Sequence, residues 1–503
     1  MTLKIRFWVW VGVLAAAVAA QGAPREVRYT TTEGVLGTTL RVGVAAVSEA
    51  AAAASETEVR KEISRLDAVF SGWSNDSEFA RLVSAGRASS VSPELFEVLV
   101  AAEGFRGATG GAFNPAVGGL GDLWKAAAAA GKEPDPATLK AEVERMAKPP
   151  YTLDGATRGV VIAPGVRVSL DAIAKGYIVD RAAAVVSAST ADATPVLVSI
   201  GGDMVVRGDT PILVDVRDPR FPSDNEAPLC RLKFTGRALA SSGGYARGYD
   251  VGGKHRSHIF DPKTGKPVEH ILGASVLAPT AMVADALATA LNVLPVDAGM
   301  ELVRKTEGAD AVVVTADGNV RVTDGFRKLA EPGAWFGPRK PPAGWPSGYS
   351  LTVDFEIQDT ASAGASGGGR RRGSWKRPYV AVFVEDAKGQ PVKTLCLWYK
   401  DRRWLTDLKR WVRLYRDRRD DMAEAVSSAT RKAGTYSLTW DGRNDADKPV
   451  PEGDYTLCIE VVREHGTYQI ARDAMKIGAS PFSHEVAGNA EMKKASVRYG
   501  KKS

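Results

Sequence analysis

Between Glu331 and Ser350 the chain reads EPGAWFGPRKPPAGWPSGYS, twenty residues that hold five prolines and four glycines. Proline lacks the N–H that a helix or a sheet ladder needs, and glycine loses the most freedom when it is fixed. Regular structure does not run through such a stretch, so the chain divides there. The two sides have different periods. Before the break, SEAAAAASETEVRKEISRLDAVF places Val59, Ile63, Leu66 and Phe70 at helical spacing, and EVRYTTTEGVLGTTLRVGVAA alternates like a strand. After it, SLTVDFEI, PYVAVFVED, TYSLTWDGR and DYTLCIEVVRE alternate with period two, separated by the turn signals DAKGQ and NDADKPVPEGD. The expectation is a mixed α/β (α+β) domain over residues 24–332, a linker over 333–349 and a small all-β sandwich over 350–485. A length of 503 residues agrees with more than one core. Within the β region ASAGASGGGRRRG reads as a flexible loop, and residues 486–503 as a disordered tail.

Residues 1–23, MTLKIRFWVWVGVLAAAVAAQGA, place Lys4 and Arg6 before an apolar run from Phe7 to Ala20, followed by small residues. That is the pattern of a secretory signal peptide; as an uncleaved anchor the run is short. No cysteine follows it, so lipid attachment there is not expected. The formal charge is +7, from 66 basic and 59 acidic residues, and much of the excess lies in RRRGSWKR and KDRRWLTDLKRWVRLYRDRR. Nucleic acid is not an expected partner of an exported protein. The basic segments read as a solvated face or as contact with an acidic partner or the cell-envelope surface. Three cysteines, Cys230, Cys396 and Cys458, are too few for a disulfide scaffold, and whether Cys396 and Cys458 pair is left open.

VADALATAL, Val283 to Leu291, reads as a helix interior with Asp285 and Thr289 four residues apart on one face. A carboxylate in so apolar a run needs a partner. Upstream lie glycine-rich clusters: TGGAFNPAVGGLGDLW, SLDAIAKGYIVDRAA, VLVSIGGDMVVRG, ALASSGGY and HIFDPKTGKPV. Glycine permits close backbone approach to a ligand, and none of these clusters is a G-x-G-x-x-G or a G-x-x-x-x-G-K-[ST]. They suggest a nucleotide site outside the Rossmann and P-loop schemes.

In this order the clusters resemble the ApbE-like FAD:protein FMN transferases. The family elements appear as LGTT, SGWSNDSE, GAFNPAVGGL, LDAIAKGYIVD, SIGGD, ASSGG, HIFDPKTG and DALATA, over roughly residues 28–330. The resemblance implies an enzyme that binds FAD with Mg²⁺ and transfers FMN to a threonine or serine hydroxyl of a target protein, releasing AMP. Carried over by motif, Asp285, Thr289 and the backbone carbonyl of Ala174 are the metal ligands. Mg²⁺ favours hard oxygens and often takes one or two carboxylates plus substrate phosphates. Lys175 would meet the phosphates and Trp73 would stack on the isoalloxazine. Leu36, Ser71, Gly72, Asn114, Ser241, His258 and Ile259 would complete the FAD site. His258 would be the general base for the acceptor hydroxyl, with Asp261 shaping its loop or orienting it. Asn114 stands where many relatives carry aspartate, Ser241 where they carry threonine, and Ala116 and Ala172 are further departures.

Two rival activities use the same residues: an FAD pyrophosphatase giving FMN and AMP, and an exported FAD-binding protein without chemistry. The C-terminal region resembles a β domain appended to some of these transferases, and its WDGRNDADKPVPEGDYTL is similar to a hairpin of immunoglobulin-like modules in flagellar hook-capping proteins. The acceptor would be an exported protein with a flavinylation motif of the kind [ST]-[GA]-A-[ST]. Ser427-Ser428-Ala429-Thr430 is similar to that motif, which makes Thr430 a candidate self-acceptor.

Overall fold

The computed structural model describes residues 26–501, apart from 190–192, 210, 221–227, 245–247, 333–344, 347, 359–377, 400–401, 417–426, 429–433, 447 and 464–467. The signal segment, most of the linker, the ASAGASGGGRRRG loop and Thr430 lie outside the described residues.

The first domain is built on eight strands: β1 Glu26–Val35, β2 Thr38–Ala46, β3 Ala193–Ile200, β4 Asp203–Val206, β5 Ala238–Ser242, β6 Ile271–Ala278, β7 Asp310–Thr315 and β8 Val320–Val322. They lie in one sheet in chain order, and every neighbouring pair is antiparallel. The fold is therefore α+β. The segment expected to alternate as a strand is a hairpin, because Leu36 (φ 48°) and Gly37 (φ 75°) turn it back on itself. Positive φ at a leucine is strained, and a two-residue hairpin loop requires it.

Three helices matter for the site: α1 Glu49–Phe70, α2 Ala174–Ser189 and α3 Ala281–Val293. Val59, Ile63 and Leu66 of α1 and Tyr177, Ile178 and Ala182 of α2 pack with Val42, Val44, Val198 and Val205 of the sheet. Burying each such aliphatic side chain contributes roughly 1.5–3 kcal/mol. Leu287, Ala288 and Leu291 of α3 pack on Val276 and Val313. The alternate residues Leu197, Val206, Leu277 and Val312 face a second layer that includes Val214, Leu232 and Phe326. Both faces of the sheet are covered, which is why its central strands are apolar throughout rather than alternating.

The second domain is a sandwich. Its strands are β9 Tyr349–Ile357, β10 Tyr379–Asp386, β11 Pro391–Trp398, β12 Gly434–Trp440, β13 Gly453–Val462, β14 Tyr468–Ile477, β15 Phe482–Val486 and β16 Met492–Lys501. One sheet runs β12-β9-β16-β15; the other runs β11-β10-β13-β14, with Ser427–Ser428 pairing in parallel on the outer side of β11. Val353, Phe355, Trp440 and Val497 meet Val382, Leu457 and Ile459 in the core between them.

One expectation is corrected. The expected disordered tail is ordered over its described residues, 486–501: β16 is hydrogen-bonded between β9 and β15, with Tyr349 opposite Lys501. Ala495, Val497 and Tyr499 point into the core, while Lys493 and Arg498 pair with Glu356 and Asp354 across β9. The all-β sandwich also carries two short helical segments. Helical turns at Arg402–Asp407 and α4, Lys409–Leu414, bury Leu405, Leu408 and Trp411 on the outer face of the second sheet. The question of Cys396 and Cys458 is also answered. They lie on strands flanking β10, with Cys396 in the core between the sheets and Cys458 under the helical turns. Side chains on opposite faces cannot reach the Cβ separation of about 3.8 Å that a disulfide needs.

Candidate functional site

The start of α2 and the first turns of α3 are locked together. Asp180 of α2 accepts from the backbone N–H of Ala281 and of Met282, each at 2.9 Å, so one helix adds to the N-terminal cap that Thr280 gives the other. Gly176 makes the approach tolerable: a Cβ there would lie 2.3 Å from the Ala281 carbonyl oxygen. Backbone cannot yield to such a contact, so the glycine of the AKGY stretch is a packing requirement.

This contact places Asp285. Its carboxylate is buried and accepts from the Gly176 N–H at 3.2 Å. Burial, and next the charge of Asp203, push its carboxyl up to about 7; Lys175 and the Gly176 N–H pull the other way. Ala174, the first residue of α2, is buried beside this bond, and Thr289 sits half-buried one turn along α3 from Asp285.

Asp203 was not among the residues singled out from sequence. Gly201, with φ 63°, and Gly202 close a tight turn from Ile200, which opposes Asp203 across the β3–β4 pair. Asp203 is 1% exposed, and Lys175 Nζ is ion-paired to its Oδ2. Neither oxygen receives a well-directed hydrogen bond. An acid after Gly-Gly reads as an ordinary turn residue, and only the fold brings Lys175 to it. Ser241 lies alongside: its N–H donates to the Gly202 carbonyl at 3.2 Å, and its Oγ is 2.7 Å from Ser275 Oγ.

The other candidates occupy separate turns. Leu36 is in the β1–β2 turn. Ser71 ends α1, Gly72 is exposed, and Trp73 is 91% exposed, an unusual position for an indole. His258 is half-buried in the bend before Ile259, whose side chain is in the core. Asp261 accepts from the Lys263 N–H and the Thr264 hydroxyl, so it shapes this loop. Both ends of the Asn114 amide are engaged: Oδ1 accepts from the Ala116 N–H in its own turn, and Nδ2 donates to the Met146 carbonyl at the end of a distant helix, both at 3.0 Å.

Two buried carboxylates beside one ammonium leave the pocket short of positive charge. With the Thr289 hydroxyl and the Ala174 carbonyl, the donors are hard oxygens, and a divalent cation such as Mg²⁺ fits them. Among the described residues no group of three or more His, Cys, Asp or Glu side chains gathers to hold a metal, at this site or elsewhere.

Both domains match known protein families. Residues 36–313 match the ApbE family, and residues 370–494 match the family described as a predicted periplasmic protein (DUF2271). The FAD:protein FMN transferase of Treponema pallidum is 32% identical, over 64% of this chain and 94% of that protein. That of Klebsiella pneumoniae is 29% identical, over 59% of this chain and 85% of its own length. Among solved structures, the ApbE protein of Thermotoga maritima superposes with a TM-score of 0.55 at 25% identity, covering 61% of this chain and all (100%) of that one. The apo flavinyl transferase ApbE of Pseudomonas stutzeri gives 0.52 at 23% identity, over 63% of this chain and 98% of that one, a likeness of fold.

Proposed function

The chain belongs to the ApbE family, and we propose that it moves the FMN half of FAD onto a serine or threonine hydroxyl of an exported protein, releasing AMP. The observation that carries this reading is the pair of buried carboxylates, Asp285 and Asp203, beside Lys175 at the junction of α2 and α3. An acidic, cation-deficient pocket suits a substrate that arrives as a metal–pyrophosphate.

Asp285, Thr289 and the Ala174 carbonyl would hold Mg²⁺, which when bound neutralises charge gathering on the phosphoryl oxygens. Lys175 meets the remaining phosphate charge. Trp73, exposed and free to pack, covers the isoalloxazine. His258 takes the proton from the acceptor hydroxyl as its oxygen bonds to the FMN phosphorus and the bond to AMP breaks. The leader-like N-terminus and the match to a predicted periplasmic family support a location outside the inner membrane. Among the described residues no helix is long and apolar enough to cross a membrane.

The test is incubation of the purified protein with FAD, Mg²⁺ and an exported acceptor carrying a flavinylation motif. Acid-stable flavin fluorescence on the acceptor, with AMP in equal amount, is the expected result. Free FMN and AMP with an unlabelled acceptor would replace transfer by hydrolysis, and unchanged FAD would leave binding alone. An FMN mass on the chain's own peptide holding Thr430 would identify it as a self-acceptor.

A further inference from the structure

Asp203 poses a separate question. A carboxylate with almost no exposed surface and no well-directed hydrogen bond is costly, and removing it from water is only partly offset by one ion pair. A structural acid is normally finished by backbone N–H groups or by arginine. Here the tight Gly201-Gly202 turn holds the acid at the start of β4, opposite Ala240 of β5. Its contact is the ammonium that begins α2, next to Ala174, and its charge is felt at Asp285 on α3. One side chain on the sheet is thus ion-paired to α2 and acts through its charge on α3.

We infer that Asp203 is a positioning residue: it anchors the Lys175 ammonium close to Asp285, so that Lys175 is already placed to receive the pyrophosphate of FAD. A free lysine side chain carries roughly 2 kcal/mol of rotamer freedom, which pairing with Asp203 removes before substrate arrives. This inference rests on the reading of the site as one for FAD.

The experiment is a double-mutant cycle with Asp203→Asn and Lys175→Met, read in two ways. The first readout is thermal stability without FAD. Lys175→Met leaves Asp203 buried and unanswered, so the melting temperature falls; adding Asp203→Asn in the same chain restores at least half of the loss. The second is FAD affinity by flavin fluorescence. Asp203→Asn weakens FAD binding by about tenfold, the scale of a hydrogen bond to a charged group. In the Lys175→Met background the same change has no further effect, because its route runs through Lys175. Additive losses in affinity would make Asp203 a merely structural acid and overturn the inference. A Lys175→Met chain whose stability Asp203→Asn does not improve would also overturn it, whether or not the protein binds FAD. If Asp203→Asn alone fails to fold, Asp203→Ser takes its place in the cycle. A wild-type chain that shows the stability coupling but does not bind FAD would overturn the functional reading and the positioning role, while leaving the ion pair.

Discussion

Each domain buries several carboxylates, and one pair from each is treated differently. In the sandwich, Glu385 is fully buried and accepts from Arg410 Nε and Nη2 at 2.7 Å each and from Arg472 Nη2 at 2.9 Å. Glu460, equally buried, accepts from the backbone N–H groups of Arg410 and Trp411 at 2.8 and 2.9 Å, at the start of α4. Both acids are finished by the chain itself, and their job is to fasten the helical turns to the sheet. In the first domain Asp285 has one N–H at 3.2 Å, and Asp203 has an ion pair without a directed hydrogen bond. Burial alone therefore does not mark a working acid. What marks it is a demand for positive charge that the surrounding chain leaves partly unmet.

The comparison is broken most forcefully at Glu385. Glu385→Ala leaves the Arg410 guanidinium without its two-point partner, and we expect the sandwich to lose about 3–5 kcal/mol. Denaturant unfolding followed by the buried Trp398, Trp411 and Trp440 measures it, with FAD binding by the first domain retained. A loss within about 0.5 kcal/mol, the range of an ordinary surface change, would show that Glu385 is not structural. Asp285→Asn should do the opposite. Transfer falls by about 10²–10³-fold, the usual effect of removing one electrostatic contributor from a reacting centre. The cation-free melting temperature stays level or rises, because a buried charge has been removed. A parallel fall in stability and rate would class Asp285 with Glu385.

Much of this was legible beforehand. Val59, Ile63 and Leu66 gave α1 by their spacing, and the helix around Asp285 and Thr289 was read from one buried acid in an apolar run. The strands β9, β10, β12 and β13 were visible as alternation. What escaped notice depended on contacts distant in sequence. β16 hides Val497 and Tyr499 among lysines and arginines whose counter-charges lie on β9, more than a hundred residues earlier. Asp203 looks like turn punctuation until Lys175 and Asp285 are folded around it. Asn114 reads from the sequence as a flavin contact standing where relatives carry aspartate; in the fold one end of its amide closes its own turn and the other reaches Met146, a partner distant in sequence.

The smallest expected effect is the most discriminating for the metal. Asp285 has a carboxyl near 7 in the fold against an ordinary value of 3.8, raised by burial and by Asp203. A raised acid keeps its proton in the folded chain after the unfolded chain has lost it. Its contribution to stability is therefore present below about 4 and is lost as pH rises through about 7. Above that the ionised carboxylate bears its full desolvation cost, unless a cation answers it. Mg²⁺ binds the ionised form, so at pH 6 it must displace a proton and at pH 8 it need not. The rise in melting temperature caused by Mg²⁺ should thus be larger at pH 8 than at pH 6, and the difference should vanish in Asp285→Asn. Glu460, also raised by burial but satisfied by two N–H groups, should contribute no such magnesium dependence. A magnesium response that is flat between pH 6 and pH 8 in the wild-type chain would remove Asp285 from the ligand set and erase the distinction between the two pairs of acids.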